Sequence, residues 1–160
     1  MPKWLSVVIV IIVCFVVAGT YERWRVNAMD AWCRARDFTR IVPFVPADHP
    51  AIPRLLSGFT ARNDWQTRRY AAAVTGMAGE TKVTMVEFEY RPSTNSKHKW
   101  YTLTIWQGAA PAPGSMVLTP PDGTFLLIDD YVGWVTEGLL TPSRADQLLT
   151  QVPKARRILE

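Results

Sequence analysis

Few residues in this chain could do acid–base, nucleophilic or metal chemistry. Glu87 and Glu89 alternate within VEFEY, which puts both carboxylates on one side of a strand, an arrangement that supports paired acid and base work when the two environments differ. On a half-exposed strand the same spacing describes a solvated face, and that is the expectation for them. Asp129 and Asp130 follow the run TFLLI without a complete calcium loop, so a turn is expected there. His49 lies in a proline-rich stretch and His98 sits between Lys97 and Lys99. Neither has a Cys, His or acidic partner at metal-ligand spacing. Cys14 and Cys33 are the only cysteines, one inside an apolar run and one beyond it, so the rest of the chain has no pair for a disulfide or a zinc site. That usage fits a reducing compartment. A Gly-rich phosphate loop, a nucleophile elbow and a dinucleotide fingerprint are all missing from the sequence. The expectation is therefore a protein that is not an enzyme, with no catalytic residues, no metal site and no cofactor.

The N-terminal pattern is more informative. WLSVVIVIIVCFVVAG is a run of 16 residues without a charge, about 24 Å of helix. With Trp4 before it and Tyr21 and Trp24 after it as interfacial aromatics, the run approaches the ~30 Å hydrocarbon core of a bilayer. A cleaved signal peptide ending at Ala18 is the rival reading. The apolar run exceeds the usual signal core, and Trp24, Ala28, Ala31, Trp32 and Ala35 continue at helical spacings of three and four, which favours an uncleaved membrane anchor. Arg23, Arg25, Arg34, Arg36 and Arg40 follow the run, whereas Lys3 and the amino group precede it. The positive-inside rule then places the N-terminus outside and the C-terminal domain in the cytoplasm of a bacterial inner membrane. The formal charge of +4 and the pI near 9.3 are read as this membrane signal, and nucleic acid is not the expected partner.

Pro43, Pro46, Pro50 and Pro53 punctuate residues 41–56, which read as a proline-spaced linker between a transmembrane and juxtamembrane helix over 1–40 and a small domain over 57–160. A strand is expected around Arg69 to Thr75, with Gly76 and Gly79 bracketing a turn. TKVTMVEFEY and HKWYTLTIWQ read as a long antiparallel hairpin, with a bulge near Met85 because Val83 and Met85 fall on the opposite parity to Val86, Phe88 and Tyr90. MVLT and TFLLID add short strands. Thr141 caps a final helix with Pro142 at its first position and Leu148, Leu149 and Val152 on its apolar side. The expected fold is α+β, with four or five antiparallel strands and a C-terminal helix covering one face.

The run AVTGMAGETKVTMVEFEYRPSTNSKHKWYTLTIWQGAAPAPGSMVLTP, with TARNDWQTRRYAAAVTG ahead of it, resembles a set of uncharacterised bacterial membrane-anchored proteins. They share a Gly-containing turn before an FxY strand, a Ser/Thr/Gly/Lys hairpin, a second long strand and a Pro-containing loop. The resemblance covers about residues 57–150 and implies fold and membrane attachment, with no activity to carry over.

Seven tryptophans are many for 160 residues, and Trp is favoured at interfaces. Trp24, Trp32, Trp65 and Trp134 are the candidate interface residues, and Lys97, His98 and Lys99 beside Trp100 and Tyr101 form a candidate anion-binding hairpin. The leading expectation is a non-catalytic, single-pass accessory or scaffold subunit of a bacterial cytoplasmic-membrane complex, in a respiratory or photosynthetic setting, partnered by larger integral subunits. The alternative is an autonomous membrane-tethered module that binds anionic lipid headgroups or a soluble ligand.

Overall fold

The computed structural model describes residues 3–61, 66–91, 97–108, 116–118, 123–128 and 130–159. It begins with one unbroken helix, α1 (Lys3–Arg36), of 34 residues. The helix is long and apolar enough to cross a membrane, and the side chains from Val7 to Val17 are largely exposed. Its C-terminus has a specific stop. Asp37 takes a left-handed φ of 57°, and the Phe38 N–H donates to the Cys33 carbonyl at 2.9 Å. This is the Schellman closure, and its usual apolar contact is present in the Trp32 and Phe38 rings, 5.0 Å apart.

After α1 come β1 (Thr39–Ile41) and a short 3-10 turn over Pro46–Asp48, then α2 (Ala51–Ala61). The strands β2 (Gln66–Ala78), β3 (Thr81–Arg91), β4 (Lys99–Gln107), β5 (Met116–Leu118), β6 (Thr124–Ile128) and β7 (Tyr131–Glu137) precede α3 (Pro142–Leu159). They form one antiparallel sheet in the order β1-β2-β3-β4-β7-β6-β5. The α+β class and the C-terminal helix hold, and among the described residues the sheet has seven strands where four or five were expected. The additional strands are β1, which is three residues long, and β7, whose Gly133 weakens its strand signal.

Helices cover both faces of the sheet. On one side Met29, Trp32 and Cys33 of α1 and Ala145, Leu148 and Val152 of α3 pack on Val83, Met85, Trp106 and Trp134. On the other, Ile52, Leu55 and Leu56 of α2 pack on Val86, Phe88, Leu103 and Val135. This arrangement corrects two expectations. The linker over 41–56 contains the first turns of α2, because Ile52, Leu55 and Leu56 recur at helical spacing and are buried, and Pro53 falls in the first turn, where its missing N–H costs nothing. The bulge near Met85 does not occur, since β3 pairs with β4 in unbroken register from Val83↔Trp106 to Tyr90↔Lys99. A central strand buried on both faces carries apolar residues on both parities. The irregularities lie in β2 instead, between Thr67 and Arg69 and between Tyr70 and Ala72.

Two glycines permit close packing. Gly76 lies within β2 and not in the turn, and a Cβ there would meet the Phe38 ring at 2.5 Å. At Gly133 a Cβ would stand 3.1 Å from Leu103 and 3.3 Å from Leu55, so this position seats α2 on the sheet. The capping of α3 is as expected: Thr141 Oγ1 accepts the Arg144 N–H at 3.3 Å, and Pro142 opens the helix. Of the stretches RPSTNSK, GAAPAPG and PPDG, residues 92–96, 109–114 and 120–122 lie outside the described residues.

Leu55 is fully buried over Gly133, so Leu55→Ala leaves a cavity that the sheet cannot close. The expected cost is about 3 kcal/mol, read by denaturant unfolding of the full chain in detergent micelles. The exposed neighbour Ser57, changed to Ala, should shift the transition little.

Candidate functional site where the long helix meets the sheet

One polar cluster lies at the point where α1 reaches the sheet. Arg25, on the first turn of α1 to contact the core, is 9% exposed, and Glu87 of β3 is 1% exposed. Arg25 Nη1 donates to Glu87 Oε2 and to the Leu140 carbonyl at 3.2 Å, and Nη2 donates to Glu87 Oε1 at 3.2 Å. Nε and Nη2 also donate to the Glu22 carboxylate at 3.0 and 2.6 Å. A guanidinium has about five N–H donors, and each has an acceptor here. Glu87 Oε2 accepts in turn from the Leu140 N–H at 2.8 Å. The cluster thus joins α1, β3 and the segment leading into α3, and a cavity of about 20 Å³ lined by Arg25, Met29, Arg40, Glu87 and Leu140 lies beside it.

A second contact lies further along α1. Trp32 Nε1 donates to Asp146 of α3 at 2.9 Å, and Arg36 donates to the same carboxylate at 3.0 Å while lying 5.1 Å over the Trp32 ring. Arg40 pairs with Asp30 at 2.9 Å. Of the five juxtamembrane arginines that set the expected orientation, Arg25, Arg36 and Arg40 hold the chain to itself, and Arg23 and Arg34 are exposed.

The other candidate residues divide in the same way. Trp4, Tyr21 and Trp24 are exposed on α1, with the Tyr21 and Trp24 rings 6.0 Å apart. Trp32 and Trp134, expected at an interface, are 5% and 4% exposed and belong to the core, where Trp134 stacks on Phe125 at 5.6 Å. The cause is that α1 and α3 lie over their side of the sheet. Trp65 lies outside the described residues. In the hairpin, Lys99 donates to Glu137 at 2.9 Å, and this hydrogen bond raises its pKa. His98 Nδ1 stands 3.9 Å from Glu89, and Lys97 is exposed. His98 and Lys99 thus stand beside different carboxylates, Glu89 and Glu137.

Glu87 and Glu89 do not form a solvated face either. Glu89 pairs with Arg69 at 2.9 Å, and Arg69 lies 5.0 Å over the Trp100 ring. Each carboxylate has its own cation. Among the described residues no group of three His, Cys, Asp or Glu side chains could hold a metal ion. Sequence reasoning missed the Arg25–Glu87 pair. The available signal was parity, since Glu87 shares the side of β3 that carries Val83 and Met85. Comparison with protein-family models, curated proteins and solved structures finds no match, and the resemblance drawn above rests on its motifs alone.

Removing one member of a buried pair strands the other charge. Glu87→Gln is expected to destabilise the fold by about 3 kcal/mol, and Arg25→Met by a similar amount. The double variant Arg25→Met, Glu87→Gln keeps an acceptor for the Leu140 N–H and should recover most of that loss. Denaturant unfolding of the four proteins measures the coupling, and additive losses would show that the pair does not act as a unit.

Proposed function

We propose that this chain is a single-pass, non-catalytic accessory or scaffold subunit of a bacterial cytoplasmic-membrane complex, with its N-terminus outside and its α+β domain on the cytoplasmic side. The observation that carries the reading is the continuity of α1. An exposed apolar segment passes without a break into turns that are part of the domain's core. A flexible tether would let a domain search, whereas this construction fixes its position relative to the helix that enters the membrane. The apolar segment offers lipid and larger integral subunits a surface that the domain itself does not cover. The arginine excess after the segment supports the orientation.

Gentle extraction through a C-terminal tag, native separation and mass spectrometry of the intact chains test this. The expected result is a co-migrating integral complex that contains this chain with residues 1–18 present. A lone intact chain would refute the subunit reading, and a chain beginning at Gly19 would refute the anchor.

A second reading, a module that binds anionic lipid headgroups, is favoured by the register of the sheet. From Arg25 of α1 to Phe38, just past the helix end, the contacts on β3 and β2 pass from Glu87 to Gly76, which pairs with Val83. The apolar segment therefore leaves toward the opposite end of β3, where Lys97, His98 and Arg69 lie. In nanodiscs rich in anionic lipid, Lys97 should react more slowly with an amine reagent than in neutral discs, and high salt should restore the rate. Equal rates in the two lipids would remove this reading.

A further inference from the structure

The end of the sheet remote from the apolar segment carries a feature that the scaffold reading does not use. The helix α2 has 11 residues, about 16 Å, and is seated by Leu55 over Gly133, so it covers only part of its face of the sheet. Between its first turn and the ends of β3, β4 and β7 lies a cleft of about 380 Å³. This is the size of a small-molecule site.

The chemistry of its walls is one-sided. Ile52 and Ile105 are buried and supply apolar lining. Arg54 from α2 and Lys82 from β3 bring two cationic side chains from separate elements, against the single carboxylate of Asp48. Tyr131 of β7 contributes a phenol that can donate to an anion. Arg54 and Lys82 are both exposed, so an anion between them would be held by charged donors.

The place of the cleft sets the source of its ligand. Lys82 adjoins the β2–β3 turn at Gly79, the end of the sheet opposite the β3–β4 hairpin, and the cleft lies on the α2 face while α1 lies on the other. A lipid headgroup held in the bilayer that α1 enters would not reach it. We infer that this cleft binds a small water-soluble organic anion, a carboxylate or phosphate on a short apolar or aromatic body. The apolar body rests on Ile52 and Ile105, and the anionic group lies between Arg54 and Lys82.

The test uses the full chain in nanodiscs of neutral lipid, with phenyl phosphate and benzoate as probes and benzyl alcohol as the neutral control, read by saturation-transfer NMR. Transfer to either anion, well above that to benzyl alcohol, is expected. The double variant Arg54→Glu, Lys82→Glu should weaken it about tenfold, and Ser143→Glu, exposed on α3 across the sheet, should leave it unchanged. Both substituted positions in the cleft are exposed, so the fold should survive. If the double variant nonetheless unfolds, Lys82→Gln with Tyr131→Phe replaces it and should also weaken transfer. No transfer to either anion, equal transfer to benzyl alcohol, or insensitivity to the cleft variants would overturn the inference.

Discussion

The buried pair of Arg25 and Glu87 is the contact on which the rest of the arrangement depends. Burying two charges costs several kcal/mol each, and a pair of this kind is tolerated only when its hydrogen-bonding capacity is filled. Here the guanidinium meets Glu22, Glu87 and the Leu140 carbonyl, and the Leu140 N–H completes Glu87. Only one placement of α1 on β3 satisfies all of these groups. With the helix so placed, Met29, Trp32 and Cys33 fall on the sheet, and Trp32 and Arg36 reach Asp146 of α3. Apolar contact supplies most of the stability, and the ionic contact selects the register in which it is made.

The two faces of the sheet are covered to different extents. Along one, α1 and α3 act together, with Leu140 and Phe38 closing the margins. Along the other, α2 works alone, and Gly133 lets it sit close to the strands at the expense of reach. A short helix held tightly in the middle of a sheet leaves strand ends uncovered, and polar or charged side chains such as Lys82 and Gln107 occupy those ends. The burial of Tyr90 and Tyr101 at the other end of this face shows the contrast, since burial pushes both phenols above their ordinary pKa.

Much of this fold was legible in the sequence where one physical signal dominated. The uncharged N-terminal run, the β3–β4 pairing and the Thr141-Pro142 start of α3 each rest on local chemistry that tertiary packing does not override. What was not legible depended on partners distant along the chain. The prolines around Ile52, Leu55 and Leu56 masked α2, whose helical character comes from burying those three residues on the sheet. Glu87 looks solvated until Arg25, 62 residues earlier, is brought to it. Trp32 and Trp134 read as surplus aromatics because a sheet with helices on both faces buries more large side chains than one covered on a single face. The cleft involves residues from α2, β3 and β7 that share no motif at all.

The unbroken course of α1 through Trp24 and Arg25 has an angular consequence. A helix fixes azimuth as well as distance: each residue advances about 1.5 Å and turns about 100°. The compass bearing of the whole sheet about the helix axis is therefore written in the number of residues between the apolar segment and Arg25. One inserted residue there would swing the domain by more than a quarter of a circle while lifting it scarcely at all, and about seven would bring it nearly back to its starting bearing some 10 Å further out.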